Sequence, residues 1–151
     1  MKRIWPQTER MRPETSEELL RIENYIKVPL DDFRTSQKLP LVSVRYIYCN
    51  ALIFSNPETN KIGVAHVEPC IDWNPTLLDS MLCDMHEGPI KGIIIAGSDY
   101  ENLETFCTRH KVPYSIKYKE SIVEGKMPPR DIIALPALNQ VWLYTLYGKK
   151  I

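Results

Sequence analysis

The sequence predicts an α+β fold, and three observations carry that expectation. Runs with a two-residue apolar period stand beside runs with a helical period, the strand-like runs pair through turn signals, and clusters of Pro, Gly and Asn separate the segments. Helices packed on a largely antiparallel or mixed sheet follow from that mixture.

Taken in order, residues 1–14 carry two prolines and many charges and read as a loose arm. Thr15 and Glu18 have the spacing of a capping box, and Leu19, Leu20, Ile22 and Ile26 follow at helical spacing, so a helix is expected over about 15–27. Pro29 ends it, and a polar linker runs to Pro40; 15–40 is thus an N-terminal helix with its linker, and 41–151 the main domain. LVSVRYIYCNALIF, from Leu41, is β-branched and aromatic without Gly or Pro and reads as one strand. SNPETN supplies a turn, and KIGVAHVEP a second strand of the same hairpin. PTLLDSMLCDMHE (75–87) reads as a helix stopped by Gly88 and Pro89, and KGIIIAG as a short buried strand. Ser98 and Glu101 suggest another capping box, opening a helix to about His110. YSIKYK is a strand, 119–130 a polar loop, and strands at 131–135 and 140–147 close the chain across a turn at Pro136–Asn139.

Length and composition bound the function. The 151 residues fit one domain with a substantial core, 44% hydrophobic and 25% charged. Formal net charge is zero, which argues against a nucleic-acid footprint. No apolar run approaches a membrane span, and MKRIWPQTERMRPETSEE has no apolar core of a secretory signal, so a cytoplasmic protein with no membrane partner is expected. Its four cysteines, Cys49, Cys70, Cys83 and Cys107, are expected as free thiols.

One pair of residues points to chemistry. With Asn56-Pro57-Glu58-Thr59 as a type I turn, Ser55 faces Asn60, Phe54 faces Lys61, and the ladder continues to Cys49 opposite His66. Directly opposed residues have Cβ atoms roughly 4.5–5.5 Å apart, close enough for a thiol–imidazole hydrogen bond. An adjacent imidazole lowers a thiol's pKa and later protonates a leaving amine. The pair therefore predicts a cysteine nucleophile with a histidine base.

The hairpin SVRYIYCNALIFSNPETNKIGVAHVEP resembles the chemoreceptor glutamine deamidase family, in which a Cys begins an apolar strand, a Pro-containing turn leads to Ile-Gly, and an Ala-His or Asn-His dipeptide precedes a Pro. The separation of seventeen between Cys49 and His66, Ile62-Gly63 before the His, and Pro69 after it match that pattern. Weaker similarity runs over about 41–147. Similar Cys–His hairpins occur in protein N-terminal asparagine amidohydrolases and in cytotoxic-necrotizing-factor-type toxin deamidases. The resemblance implies a layered α/β/β sandwich and hydrolysis of a glutamine or asparagine amide on a protein substrate through a thioester, with no cofactor; Cys49 takes the nucleophile position, His66 the base, and Ser43 the place of an orienting Thr six residues before the Cys. Transglutamination would use the same acyl-enzyme. The sequence departs from the family at Ile47-Tyr48, where a Gly-Ser pair is usual, and at Ala96-Gly97-Ser98, where Gly-Gly-Ala is usual. Ser43 lies roughly 20 Å from Cys49 along a straight strand and can reach the site only across a bend or bulge.

Three other features stand out. Cys83, His86, Cys107 and His110 form two C-x-x-H pairs, a possible structural zinc set for an alternative, non-catalytic binding domain. The turn Ala96-Gly97-Ser98-Asp99 could present N–H groups to an anion or a substrate carbonyl, or simply cap a helix. Glu68 and Asp72 are placed near the site mouth.

Overall fold

The computed structural model describes residues 2–5, 24–46, 48–69, 75–85, 88–117 and 130–145. Among the described residues, ten strands form two five-stranded sheets. The first contains β1 (Lys2–Trp5), β2 (Ile26–Lys27), β4 (Leu41–Tyr46), β9 (Arg130–Leu135) and β10 (Gln140–Thr145), in the order β1-β10-β9-β4-β2. The second contains β3 (Asp32–Ser36), β5 (Asn50–Asn56), β6 (Lys61–Val67), β7 (Lys91–Ile95) and β8 (Tyr114–Lys117), in the order β3-β6-β5-β7-β8. Two α-helices, α1 (Thr76–Asp84) and α2 (Glu101–Arg109), and a short 3-10 turn at Pro136–Leu138 complete the described elements.

Strand alternation builds the layers. Ala51, Ile53, Ile62, Val64, Ile93 and Ile95 face Leu41, Ile132, Ala134, Val141 and Leu143 across the inter-sheet core. The intervening residues of the second sheet, among them Leu52, Phe54, Ala65 and Ile94, lie under Leu78 and Met81 of α1 and Leu103 and Phe106 of α2. β5 is consequently buried along its whole length, which accounts for the unbroken apolar run from Ala51 to Phe54 at its centre. The expected α+β fold, with a layered α/β/β sandwich of mixed sheets and helices outside, is what forms. No described helix is long and apolar enough to cross a membrane.

Several elements differ from expectation. Within the expected loose arm, Lys2–Trp5 pairs antiparallel with β10. Ile26–Lys27, expected as the end of a helix, forms a short parallel strand beside β4; residues 15–23 of that expected helix lie outside the described residues. The expected linker contains β3, whose DFRTS sequence suits a half-buried edge strand and has no apolar period to reveal it. Helix α2 begins after Tyr100 without a side-chain cap, so Ser98 does not form the expected capping box.

The largest difference lies at the site. The single strand expected from Leu41 is two strands in two sheets: the chain leaves the first sheet after Tyr46, bends at Tyr48 and enters the second at Asn50.

Candidate active site

The β5–β6 hairpin sets the relative position of Cys49 and His66. Asn56 pairs with Lys61, so the loop is Pro57–Asn60. Asn56 Oδ1 accepts the Glu58 N–H at 3.0 Å, and Asn60 adopts left-handed φ of 61°, a conformation that Asn tolerates. The register is therefore two residues away from expectation: Ala51, not Cys49, stands opposite His66. A shift of two preserves the side of the sheet, because side chains alternate with period two. Cys49 is half-buried and packs against the inter-sheet core, the side that His66 also faces. The two are diagonal rather than direct neighbours.

Asn50 and Gly97 hold the crossing between sheets. The Asn50 carboxamide accepts the Gly97 N–H at 2.5 Å and donates to the Ser98 carbonyl at 2.6 Å, while the Ser98 N–H donates to the Tyr48 carbonyl at 2.9 Å. A Cβ on residue 97 would collide with the backbone carbonyls of Tyr48 and Cys49. The Ala96 N–H is also engaged, by the Lys117 carbonyl at 3.0 Å. The Ala96–Ser98 turn thus clamps the Cys49 segment, and its N–H groups are not presented to an anion or a substrate carbonyl.

The bend and a bulge bring Ser43 to the site. Between Ser43 and Tyr46 on β4, three steps match two on β9, from Ile132 to Arg130. The extra residue reverses the alternation, so Tyr46 points inward as Ser43 does. Ser43 Oγ lies 3.4 Å from His66 Nδ1 and hydrogen-bonds the Tyr46 hydroxyl. The Tyr46 ring stacks on the imidazole, with centroids 3.8 Å apart and planes 12° apart.

His66 is 4% exposed, and its Nε2 makes no hydrogen bond. Burial lowers its pKa to about 4, against an opposing pull from the Asp31 carboxylate. The ring is neutral near pH 7 and has one nitrogen able to accept a proton. Its backbone is pinned from the adjacent edge, where the Asp31 N–H donates to the His66 carbonyl at 2.8 Å. Asp31 Oδ1 accepts the Glu68 N–H at 2.9 Å, and its carboxyl raises the pKa of Glu68, which is exposed beside the site. Asp72 lies outside the described residues.

No family model matches this chain, and comparison with curated proteins returns no match.

The possible zinc set is not assembled among the described residues. Cys107 is buried in the core beneath α2, where burial, with the nearby Glu104 charge, pushes its thiol up to about 12. Cys83 is exposed on α1, His110 pairs with Asp79 at 3.2 Å, and His86 lies outside the described residues, as does Cys70. No group of three or more His, Cys, Asp or Glu side chains is arranged to hold a metal among the described residues.

Tyr46 and Asn50 are site residues that sequence reasoning missed. Asn50 follows the Cys directly, and a polar residue opening an apolar run was the available signal. Tyr46 gave none, since only the bulge turns it inward.

Proposed function

We propose that this protein is a cysteine amidohydrolase that deamidates a glutamine or asparagine side chain of a protein substrate. One observation carries the reading: a half-buried thiol and a buried neutral imidazole face the same inter-sheet layer, and a hydroxyl lies at the imidazole Nδ1. The hairpin's resemblance to glutamine deamidases supports the choice of a carboxamide.

In this mechanism substrate binding closes the diagonal gap, and Cys49 passes its proton to His66 Nε2. The sulfur attacks the amide carbon, giving a tetrahedral oxyanion. As the C–N bond breaks, the imidazolium returns the proton to the departing nitrogen, and ammonia leaves a thioester. His66 then takes a proton from water, hydroxide adds to the thioester carbon, and the C–S bond breaks. The product is a carboxylic acid, and the imidazolium returns its proton to the departing sulfur, restoring the Cys49 thiol and the neutral His66. An amine in place of water would give transglutamination. Ser43 orients the imidazole.

The test has two parts. Cys49 is expected to react with iodoacetamide at pH 7 faster than the more exposed Cys83, and His66→Ala to slow Cys49 alone. Candidate protein substrates are expected to gain about one dalton by intact mass with the wild-type protein and none with Cys49→Ser, the mass change of exchanging NH2 for OH in acyl transfer. Equal labelling of Cys49 and Cys83, with no effect of His66→Ala, would defeat the reading.

A further inference from the structure

We propose that Tyr46 is a positioning residue that fixes the His66 tautomer through Ser43, so that Nε2 carries the lone pair. The inference rests on His66 being the base for Cys49.

Three groups form a chain: His66 Nδ1, Ser43 Oγ and the Tyr46 hydroxyl. Ser43 has one proton. Directed at Nδ1, that proton would place the ring's own hydrogen on Nε2, where it has no acceptor and blocks proton transfer. Directed at the Tyr46 oxygen, it leaves Ser43 Oγ to accept Nδ1–H, and Nε2 is then a bare acceptor. A buried N–H without an acceptor is more costly than a buried lone pair, which favours the second arrangement. Tyr46 is the acceptor that makes it available, and the bulge between Ser43 and Tyr46 turns it inward to serve.

The same residue helps when the thiol's proton arrives. The buried imidazole resists protonation because charge is poorly solvated there. Once charged, its Nδ1–H bond to Ser43 strengthens, and Ser43 is polarised in turn by Tyr46. The phenol ring, stacked at 3.8 Å, offers its negative face to the cation. The carboxylate acting on this ring is Asp31, which favours the charged form without touching either nitrogen.

Tyr46→Phe keeps the stacked ring and removes the hydroxyl. In full-length, 15N-labelled protein, the wild-type His66 signals are expected to report hydrogen on Nδ1 and a bare Nε2. Tyr46→Phe is expected to move the hydrogen to Nε2 and to slow iodoacetamide labelling of Cys49 about tenfold, as loss of one hydrogen bond supporting a charged group would do. Where Tyr46→Phe fails to fold by circular dichroism, Ser43→Ala tests the same chain and is expected to abolish the preference for hydrogen on Nδ1, leaving both tautomers populated. Wild-type protein already protonated on Nε2, or nitrogen shifts unchanged in the folded variant, would overturn the proposal. The tautomer is read without any activity. If His66→Ala leaves Cys49 labelling unchanged, the base reading fails while the tautomer result stands by itself.

Discussion

Asn50 and Gly97 face each other across the point where the chain changes sheets, and the Gly97 N–H donates to the Asn50 carboxamide oxygen at 2.5 Å. The neighbouring Cys49 carbonyl lies so close to Gly97 Cα that no side chain fits between them. Gly97→Ala should therefore push the Cys49 segment away from the turn. The expected cost is about 1–3 kcal/mol, as for other overpacked sites, read as a lower urea midpoint. Slower alkylation of Cys49 should accompany it, and unchanged stability would show that the backbone contact is less tight than described.

The amide of Asn50 satisfies two backbone groups at once, Gly97 N–H and Ser98 C=O. Asn50 is itself buried, so removing its side chain leaves both without an internal partner. Asn50→Ala should lower stability by about 1–3 kcal/mol for each group that stays dry. Asn50→Asp retains an acceptor for Gly97 but cannot donate to Ser98 and carries a charge into the core, so it should be no milder. Urea denaturation of the two variants together checks this order.

The contrast between the hairpin and its surroundings explains what could be read from sequence. Apolar, β-branched runs around Asn-Pro announce β5 and β6, and period-two alternation puts Cys49 and His66 on one side whether the loop begins at Asn56 or Pro57. The exact register depended on Asn60 taking a left-handed conformation, which Asn permits without requiring. The change of sheet after Tyr46 was illegible because no Gly or Pro marks it; the contacts that hold it come from Asn50 and a turn 47 residues further along. Ser98 and Glu101 have the local pattern of a capping box, but the Ser98 backbone is committed to Tyr48 and Asn50, and tertiary contacts override the local preference. β3 is polar because it is an edge, so the rule that finds buried strands passes over it.

Cys107 should behave as an inert core thiol. It is fully buried, and its pKa is pushed up to about 12, so almost none of it is thiolate at pH 8. In the folded protein it should resist iodoacetamide, and it should label at the rate of an ordinary thiol once urea unfolds the chain. Peptide mapping across the urea transition gives the measurement. Labelling of Cys107 before the cooperative transition would mean that α2 opens locally.

His66 should make the protein acid-sensitive in a defined window. Its folded pKa, about 4, lies below the ordinary histidine value of 6.5 because burial disfavours the imidazolium. Above pH 6.5 the ring is neutral in both folded and unfolded chains and contributes no slope. As pH falls below 6.5 the unfolded chain takes up a proton that the folded chain refuses, so stability rises with pH between about 4 and 6.5. Integrated over that window the effect is about 3 kcal/mol, following from the size of the shift. Glu68 works in the opposite sense: its carboxyl pKa is raised by Asp31, so its protonated form is favoured in the folded chain and its contribution is lost as pH rises. Asp32, held low by Arg34, contributes stability that disappears only in stronger acid. His66→Gln separates these effects, since it removes the imidazole and leaves both carboxyls. Urea midpoints measured from pH 4 to pH 7 should fall steeply toward acid in the wild type and more shallowly in His66→Gln. Parallel curves would mean that His66 has the same pKa in the folded as in the unfolded chain, so that burial does not disfavour its imidazolium.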